Sequence, residues 1–246
     1  MPIDPNRTPQ VALVTGASRG LGRAIAESLA ATGLSVAVNY ASNRDAAQAT
    51  VAAIRSVGGT ADCFQADVCD PDAVAGLVRD VESTLGPIDV LVNNAGIGTP
   101  IGLQAMTLDD WERTLRGNLT SAYLVTSAVV PGMMARGYGR LVFQSSIAAK
   151  VGGVISVAYA ASKAGIEGMA HYYAASLSAH GVTANCIAPA FIATDMFKGI
   201  SLPDPSTMPL GRMGRPDEVA SIVRMLVGNG FVTGQTIHVN AGRYMT

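Results

Sequence analysis

Short apolar runs alternate with longer amphipathic stretches along the whole chain. VALVTG (11–16), LSVAVNY (34–40), ADCFQADV (61–68) and IDVLVNNAG (88–96) are strand-length. Between them lie LGRAIAESLAATG (21–33), RDAAQATVAAIRSVGG (44–59) and DPDAVAGLVRDVESTLG (70–86), which have helical spacing and end on glycine. Asp70 is the predicted N-cap of the third helix, with Pro71 at its first position. The strand runs lack the polar alternation of a half-solvated sheet. Both faces must therefore be covered, as in a parallel sheet with right-handed crossovers.

The second half keeps the rhythm. A long helix is expected near 107–131, a strand at 139–146, a helix over 158–179 and a strand at 182–189. A helix near 216–228 and a strand at 235–240 follow. No linker or composition break divides the chain. The pattern predicts an α/β fold: one doubly wound, Rossmann-type domain over residues 10–246, after a short extension at 1–9. Its sheet should hold about seven parallel strands, with helices on both faces.

Composition narrows the function classes. Net charge is −1, charged residues are 14% of the 246, and no basic block exists, which argues against a nucleic-acid partner. No run of about 18 apolar residues is present, so no membrane span is expected. The start, MPIDPNRTPQ, lacks the apolar core of a signal peptide. Cys63, Cys69 and Cys186 are odd in number and lack metal-ligand spacing. They read as reduced thiols in a cytoplasmic protein without a metal site.

The turn TGASRGLG (15–22) joins the first strand to the first helix. Gly16, Gly20 and Gly22 remove side chains where backbone must approach a pyrophosphate, and the helix N-terminus offers free N–H groups to the anion. Strand two ends VNYASNR, with no acid before Asp45. A carboxylate there would bind a ribose 2′-hydroxyl and repel a 2′-phosphate. With Arg19, Asn39, Ser42 and Arg44 in its place, the reading favours NADP(H).

Tyr159 and Lys163, in SVAYAASKAG, sit four apart on one helix face. An ammonium beside a phenol should lower its pKa from about 10 towards a useful range. Lys163 can also donate to ribose hydroxyls. A hydroxyl at the end of the fifth strand, Ser145 or Ser146, could donate to a substrate carbonyl oxygen. Asn118 falls inside the long helix, where asparagine has mediocre propensity.

The T-G-x-x-x-G-x-G spacing, NNAG (93–96), ADV (66–68) and the Ser-Tyr-Lys set together resemble the short-chain dehydrogenase/reductase family. Nearly the whole chain is covered. Within that family it is most similar to the 3-oxoacyl-[acyl-carrier-protein] reductases, through VTGASRGLGRAIAESLA, YAASKAGIEG and PLGRMGRPDEVA. The family's spacing to the tyrosine selects Ser146, giving Asn118, Ser146, Tyr159 and Lys163 as the implied catalytic set. Asn118 would help to hold a water that relays protons to Lys163. The implied cofactor residues are Gly16, Ser18, Arg19, Gly20, Leu21, Gly22, Asn39, Ser42, Asp67, Val68, Asn94, Ala95, Gly96, Tyr159, Lys163, Ile192 and Thr194.

The resemblance implies a homotetramer that reduces a 3-oxoacyl thioester with NADPH and meets an acyl carrier protein through basic residues beside the site. The candidates for that contact are Arg136, Arg140 and His180, while His171 and His238 look structural. The faces of helices 107–131 and 158–179, with Ala122, Val125, Ala128, Val129, Ala164, Ala170 and Ala174, suit a subunit interface as well as they suit a core. Three departures stand out. Ala190 and Ala241 replace usual glycines, and FKGISLPDPSTM (197–208) is short, with Pro203 and Pro205 arguing against a long lid helix. The alternatives are another ketone or alcohol substrate within the same family, or a dinucleotide-binding sensor without turnover.

Overall fold

The computed structural model describes residues 10–194 and 204–245. Seven parallel strands form one sheet in the order β3-β2-β1-β4-β5-β6-β7. They are β1 (Val11–Val14), β2 (Ser35–Tyr40), β3 (Thr60–Gln65), β4 (Ile88–Asn93), β5 (Gly139–Gln144), β6 (Val182–Pro189) and β7 (Thr236–Val239). The order reverses between β1 and β4. In such sheets the ligand crevice opens there, at the carboxyl ends of the strands.

The absence of alternation has its predicted cause: successive residues of each strand feed two separate cores. Ala12, Val14 and Val142 face one core with α1 (Gly20–Ala30), α2 (Arg44–Ser56) and α8 (Pro216–Gly228). Val11, Leu13, Leu141 and Phe143 face the other, with α3 (Pro71–Thr84), α5 (Ser121–Arg136) and α7 (Val157–Leu177). β3 is the exception. It is an edge strand, and Asp62 and Gln65 are carried where covering is thinner. It stops at Gln65, so ADV lies beyond it in the crevice loop.

α1 shows how packing leaves a helix end free. Its N-cap residue, Arg19, makes no side-chain cap bond. A missing cap costs about 1 kcal/mol. Ile25 and Leu29 are fully buried from this helix, at roughly 1.5–3 kcal/mol each, so burial holds the helix without the cap. α3 does use its cap: Asp70 accepts from the Asp72 and Ala73 N–H groups, with Pro71 behind it.

The long helix expected at 107–131 is two helices. α4 (Leu108–Leu115) and α5 are joined by a π-helical turn at Arg116–Thr120, and α5 runs past Pro131 to Arg136. Gly137, at φ 66°, ends it in the left-handed region that glycine accepts without cost. A short helix, α6 (Ala148–Val151), follows β5. Among the small and apolar residues of α5 and α7, Ala122, Val125, Val129, Ala170 and Ala174 belong to the chain's own core. Of the seven residues named for an interface, Ala128 and Ala164 are the exposed ones. The segment 197–208 lies largely outside the described residues, Pro203 included, but Pro205–Thr207 forms a single 3₁₀ turn. No helix among the described residues is long and apolar enough to cross a membrane.

Candidate active site

The glycine turn leaves β1 beside the exit of β4, and side chains lock the two together. Thr15 Oγ1 accepts from the main-chain N–H groups of Asn94 and Ala95, both at 3.0 Å. Asn94 Nδ2 donates to the carbonyls of Thr15 and Gly16. Glycine is needed here for close approach as much as for conformation. A Cβ on Gly22 would strike the Gly16 carbonyl and come within 2.5 Å of Asn94 Nδ2, and Gly16 has φ +61° with Ala95 Cα at 3.0 Å from its virtual Cβ. Ser18 and Leu21 are half-buried in the turn, Arg19 is exposed, and Gly20 opens α1.

The uncapped first turn of α1 keeps its N–H groups for an anion, and a cleft of about 320 Å³ adjoins it, lined by Gly20, Ala193, Thr194 and Pro216 and, further along α1, by Arg23 and Glu27, which pair with each other. These residues fit a dinucleotide pyrophosphate. Ile192 is buried and pairs with Gly214 in an isolated parallel bridge, which brings the segment of Thr194 back over the crevice. Asp67 is exposed and Val68 buried just past β3, and Ala95 and Gly96 line the β4 exit.

Asn39 requires a correction. It was expected among the donors for a 2′-phosphate, yet it is only 1% exposed and points inward. Its Oδ1 accepts from Gly16 N–H, and its Nδ2 donates to the carbonyls of Phe64 and Ala66. Asn39 therefore braces the glycine turn against β2 and β3 from beneath. Ser42 and Arg44 are exposed just beyond β2, and no carboxylate precedes Asp45 there. Thr15 is the other brace, which sequence reasoning passed over. Its place directly before Gly16, at the end of a buried strand, was the available signal.

β5 and α7 bring the second set together. Ser156 caps α7 by accepting from Tyr159 N–H, which fixes where the helix starts. One turn separates Tyr159 from Lys163, and both are buried. The Ser146 hydroxyl stands beside the Tyr159 phenol, close enough to favour its charged form. The choice between the two serines is resolved by direction. Ser145 is 1% exposed and donates inward, to Glu167 Oε1 at 2.9 Å and the Lys163 carbonyl at 3.1 Å, whereas Ser146 is half-buried beside the phenol.

The electrostatics differ from expectation. Burial pushes the Tyr159 phenol above its usual value, only partly offset by the Ser146 hydroxyl. Lys163 does not lower it. Burial instead pushes the Lys163 ammonium down to about 8. Its Nζ donates to the Gln144 carbonyl at 2.7 Å and stands 5.6 Å from the Tyr159 ring centroid. Desolvation is the largest cause at both groups, opposed at Lys163 only by the neighbouring Cys186.

Asn118 sits in the π turn and is fully buried. Its Oδ1 accepts from Ile97 N–H at 2.7 Å, and its Nδ2 donates to the Ile97 carbonyl and Ser162 Oγ, both at 3.0 Å. Asn118 therefore faces the interior and not solvent. π turns occur mostly as single insertions in helices and are frequent at functional sites.

The basic residues expected beside the site stand elsewhere. Arg140 is the second residue of β5, at the end of the sheet opposite the crevice. It is 7% exposed, and its guanidinium donates to the carbonyls of Val227, Gly139 and Gly181. Such a group closes helix ends and is not free to meet a carrier. Arg136 donates to Ile88 O and lies beside Asp89, and His180 precedes the left-handed Gly181 at the same end. His171 is exposed, and His238 packs edge-on against Tyr244. Burial pushes the Cys69 thiol up to about 11 and the Cys186 thiol up to about 12, away from the reactive thiolate.

The family model described as short chain dehydrogenase matches residues 10–204. The chain belongs to that family. It is 44% identical over 242 residues to a 3-oxoacyl-[acyl-carrier-protein] reductase of Synechocystis sp., covering 97% of this chain and 98% of the relative. A 3-oxoacyl-[acyl-carrier-protein] reductase of Staphylococcus aureus is 39% identical over 240 residues, covering 95% and 98%. An acetoacetyl-CoA reductase of Shinella zoogloeoides is 40% identical over 245 residues, covering 96% and 98%. Among solved structures, one provisionally described as a gluconate dehydrogenase, from Agrobacterium tumefaciens, superposes with a TM-score of 0.90 at 32% identity, over 95% of each chain. The chain is thus an oxidoreductase of this family, with a nicotinamide dinucleotide as its cofactor.

Proposed function

We propose that the protein reduces a 3-oxoacyl thioester, linked to acyl carrier protein or to CoA, to the 3-hydroxyacyl form with NADPH. The observation that carries this reading is the gathering of Ser146, Tyr159 and Lys163 at one end of the sheet, with a brace of glycine, threonine and asparagine beside them. Relatives named for thioester reduction span almost the same length. The cofactor, when bound, supplies the hydride. Gly16, Gly20, Gly22 and Thr194 would hold its pyrophosphate, Asp67 and Val68 its adenine side, and Ile192 its carboxamide. Ser42, Arg19 and Arg44 would meet a 2′-phosphate.

Ser146 and Tyr159 hydrogen-bond the substrate oxygen, and Tyr159 gives the proton. A pKa raised by burial suits this direction, since it keeps the proton on the phenol until negative charge develops on the oxygen. Lys163, which donates to the Gln144 carbonyl, would hold a ribose hydroxyl of the bound cofactor. The Asn118 side chain is spent on Ile97 and Ser162, so a relay water would be held by main-chain atoms of the π turn. Residues 10–246 act as one catalytic domain in the cytoplasm. Four copies assemble through α5 and α7, whose exposed faces carry Tyr123, Val157 and Tyr172.

The structural likeness to a dehydrogenase of a sugar acid supports a second reading, a free hydroxy acid as substrate. The test follows NADPH and NADH oxidation side by side with acetoacetyl-CoA, and the reverse reaction with gluconate. Fast oxidation of NADPH by the thioester is expected. Preference for NADH would remove the 2′-phosphate reading, and turnover of gluconate alone would replace the substrate.

A further inference from the structure

One buried network at the site has no part in the scheme above. Glu167 lies on α7 one turn beyond Lys163, so Tyr159, Lys163 and Glu167 follow one another along a single helix face. Its side chain is 5% exposed. Both carboxylate oxygens are taken: Oε1 by the Ser145 hydroxyl at 2.9 Å, Oε2 by Lys150 Nζ at 2.7 Å. Ser145 and Lys150 flank Ser146 in the chain. Ser145 is the residue before it, and Lys150 stands on α6, whose start is tied to Ser146 Oγ by the Ala148 N–H at 3.2 Å. Two points of the Ser146 segment are therefore pinned to one carboxylate on the helix that carries the phenol.

We propose that Glu167 is a positioning residue, which sets the pitch of Ser146 against Tyr159 and so the direction of the hydrogen bond that the substrate oxygen receives. Main-chain bonds from Ser145 N–H to the Ile187 carbonyl and from Ile147 N–H to the Pro189 carbonyl fix the path of the chain along β6. On the near side of Ser146, Ser145 Oγ and the Gln144 carbonyl also meet the carbonyl and Nζ of Lys163 on α7. The carboxylate adds a second hold on Ser145 and, through Lys150, a hold on the far side of Ser146. Lys150 also neutralises its charge, which burial without a partner would penalise. A hydroxyl misaimed by a fraction of an ångström loses most of its value to a transition state.

The test is a double-mutant cycle of Glu167→Leu with Ser146→Ala, because a residue acting through Ser146 has nothing left to position once that hydroxyl is gone. Turnover is read with NADPH and acetoacetyl-CoA. We expect Glu167→Leu to lower kcat about tenfold with KM for NADPH unchanged, and to lower it no further in the Ser146→Ala background. Equal losses in both backgrounds, or none in either, would overturn the proposal. This kinetic arm rests on the reductase reading. A second arm does not: the ¹³Cζ resonance of labelled Tyr159, assigned with Tyr159→Phe, reports the Ser146 hydroxyl beside it at neutral pH whatever the substrate. It should move in Glu167→Leu as it moves in Ser146→Ala, and not move again in the double variant. An unmoved resonance in Glu167→Leu overturns the proposal even if the wild type turns over no thioester. Should Glu167→Leu not fold, Glu167→Gln with Lys150→Met keeps an acceptor for Ser145 without a buried charge. With the Ser145 contact kept and the Lys150 contact gone, it should lower kcat by about two- to threefold and no further in the Ser146→Ala background, and an equal loss in both backgrounds overturns the proposal.

Discussion

The two ends of the crevice are built from different materials. At the exits of β1 and β4 the chain is held by neutral groups: Thr15, Asn39 and Asn94 tie side-chain atoms to main-chain atoms, and glycines let the backbones close up. At the exit of β5, by contrast, the buried groups titrate. Tyr159, Lys163, Glu167 and Cys186 stand within one helix face and the strand beneath it, with Lys150 reaching in from the surface. Burial moves three of them in the direction that favours the neutral form. One end is a shape that receives an anion, while the other is a set of protons held ready. Substitutions at the first end should act on cofactor affinity through geometry. Those at the second should act on turnover through protonation.

The sharpest break in that contrast would come from Tyr159→Phe. It removes the proton donor and keeps the ring, so turnover should fall by about 10²–10⁴-fold, the usual range for a general acid. NADPH affinity, read by fluorescence titration, should stay within about twofold. A large loss of affinity would mean that the two ends are not separable.

Asn39→Ala probes the other end. As a brace, Asn39 serves whichever dinucleotide binds, so NADPH and NADH should both weaken by about tenfold, equivalent to ~1.4 kcal/mol. Losing NADPH alone would return Asn39 to the 2′-phosphate. Stability should also fall by about 1–3 kcal/mol, because the Phe64 and Ala66 carbonyls and the Gly16 N–H lose a partner inside the protein. Urea unfolding at constant m would show it.

The pH dependence separates the ends more gently. Burial lowers Lys163 to about 8, so the cofactor-free enzyme loses this charge as pH rises through that value. If the ammonium grips the ribose, kcat/KM for NADPH should decline above about pH 8, since that ratio reports the free enzyme. The decline in kcat should come at higher pH, because a bound anionic cofactor favours the charged form. Lys163→Arg, which stays protonated, should flatten the limb at reduced rate. A limb unmoved by that change would belong to another group.

Much of this was legible in the sequence, for reasons that can be named. The central strands were readable because they are covered on both faces, and α3 because Asp70 and Pro71 mark its start. Tyr159 and Lys163 were readable because residues four apart on a helix share one face, whereas Ser146 was chosen over Ser145 only through the family's spacing to the tyrosine. What the sequence hid was direction. Asn39 and Ser42 lie on the same short stretch, and nothing in their order says which turns inward. Glu167 looks like any surface glutamate until α7 is laid over Ser145. The π turn at Asn118 was invisible because it inserts one residue's worth of slack into an otherwise continuous helical pattern. The carrier candidates failed for a related reason: Arg140 reads as a cation, but its strand position puts it at the far end of the sheet with three carbonyls around it.

Ala241 carries the smallest predicted effect. It is the one non-glycine residue with positive φ among the described residues, at 54°. The turn that imposes this is closed by Asn240, whose Oδ1 accepts from Gly242 N–H and whose Nδ2 donates to the Tyr244 carbonyl. A left-handed alanine costs roughly 1–2 kcal/mol. Glycine would relieve that strain but return about 0.4–1 kcal/mol as entropy of the unfolded chain. The balance favours Ala241→Gly by roughly 0.5–1 kcal/mol, which for a chain of this size raises Tm by about 1–4 °C. Neither turnover nor cofactor affinity should change, because the turn follows β7 and carries none of the titrating or bracing groups. A gain in Tm accompanied by a change in kcat would show that the strain is transmitted to the site, and the division between a shaped end and a protonic end would then have to include the C-terminal turn.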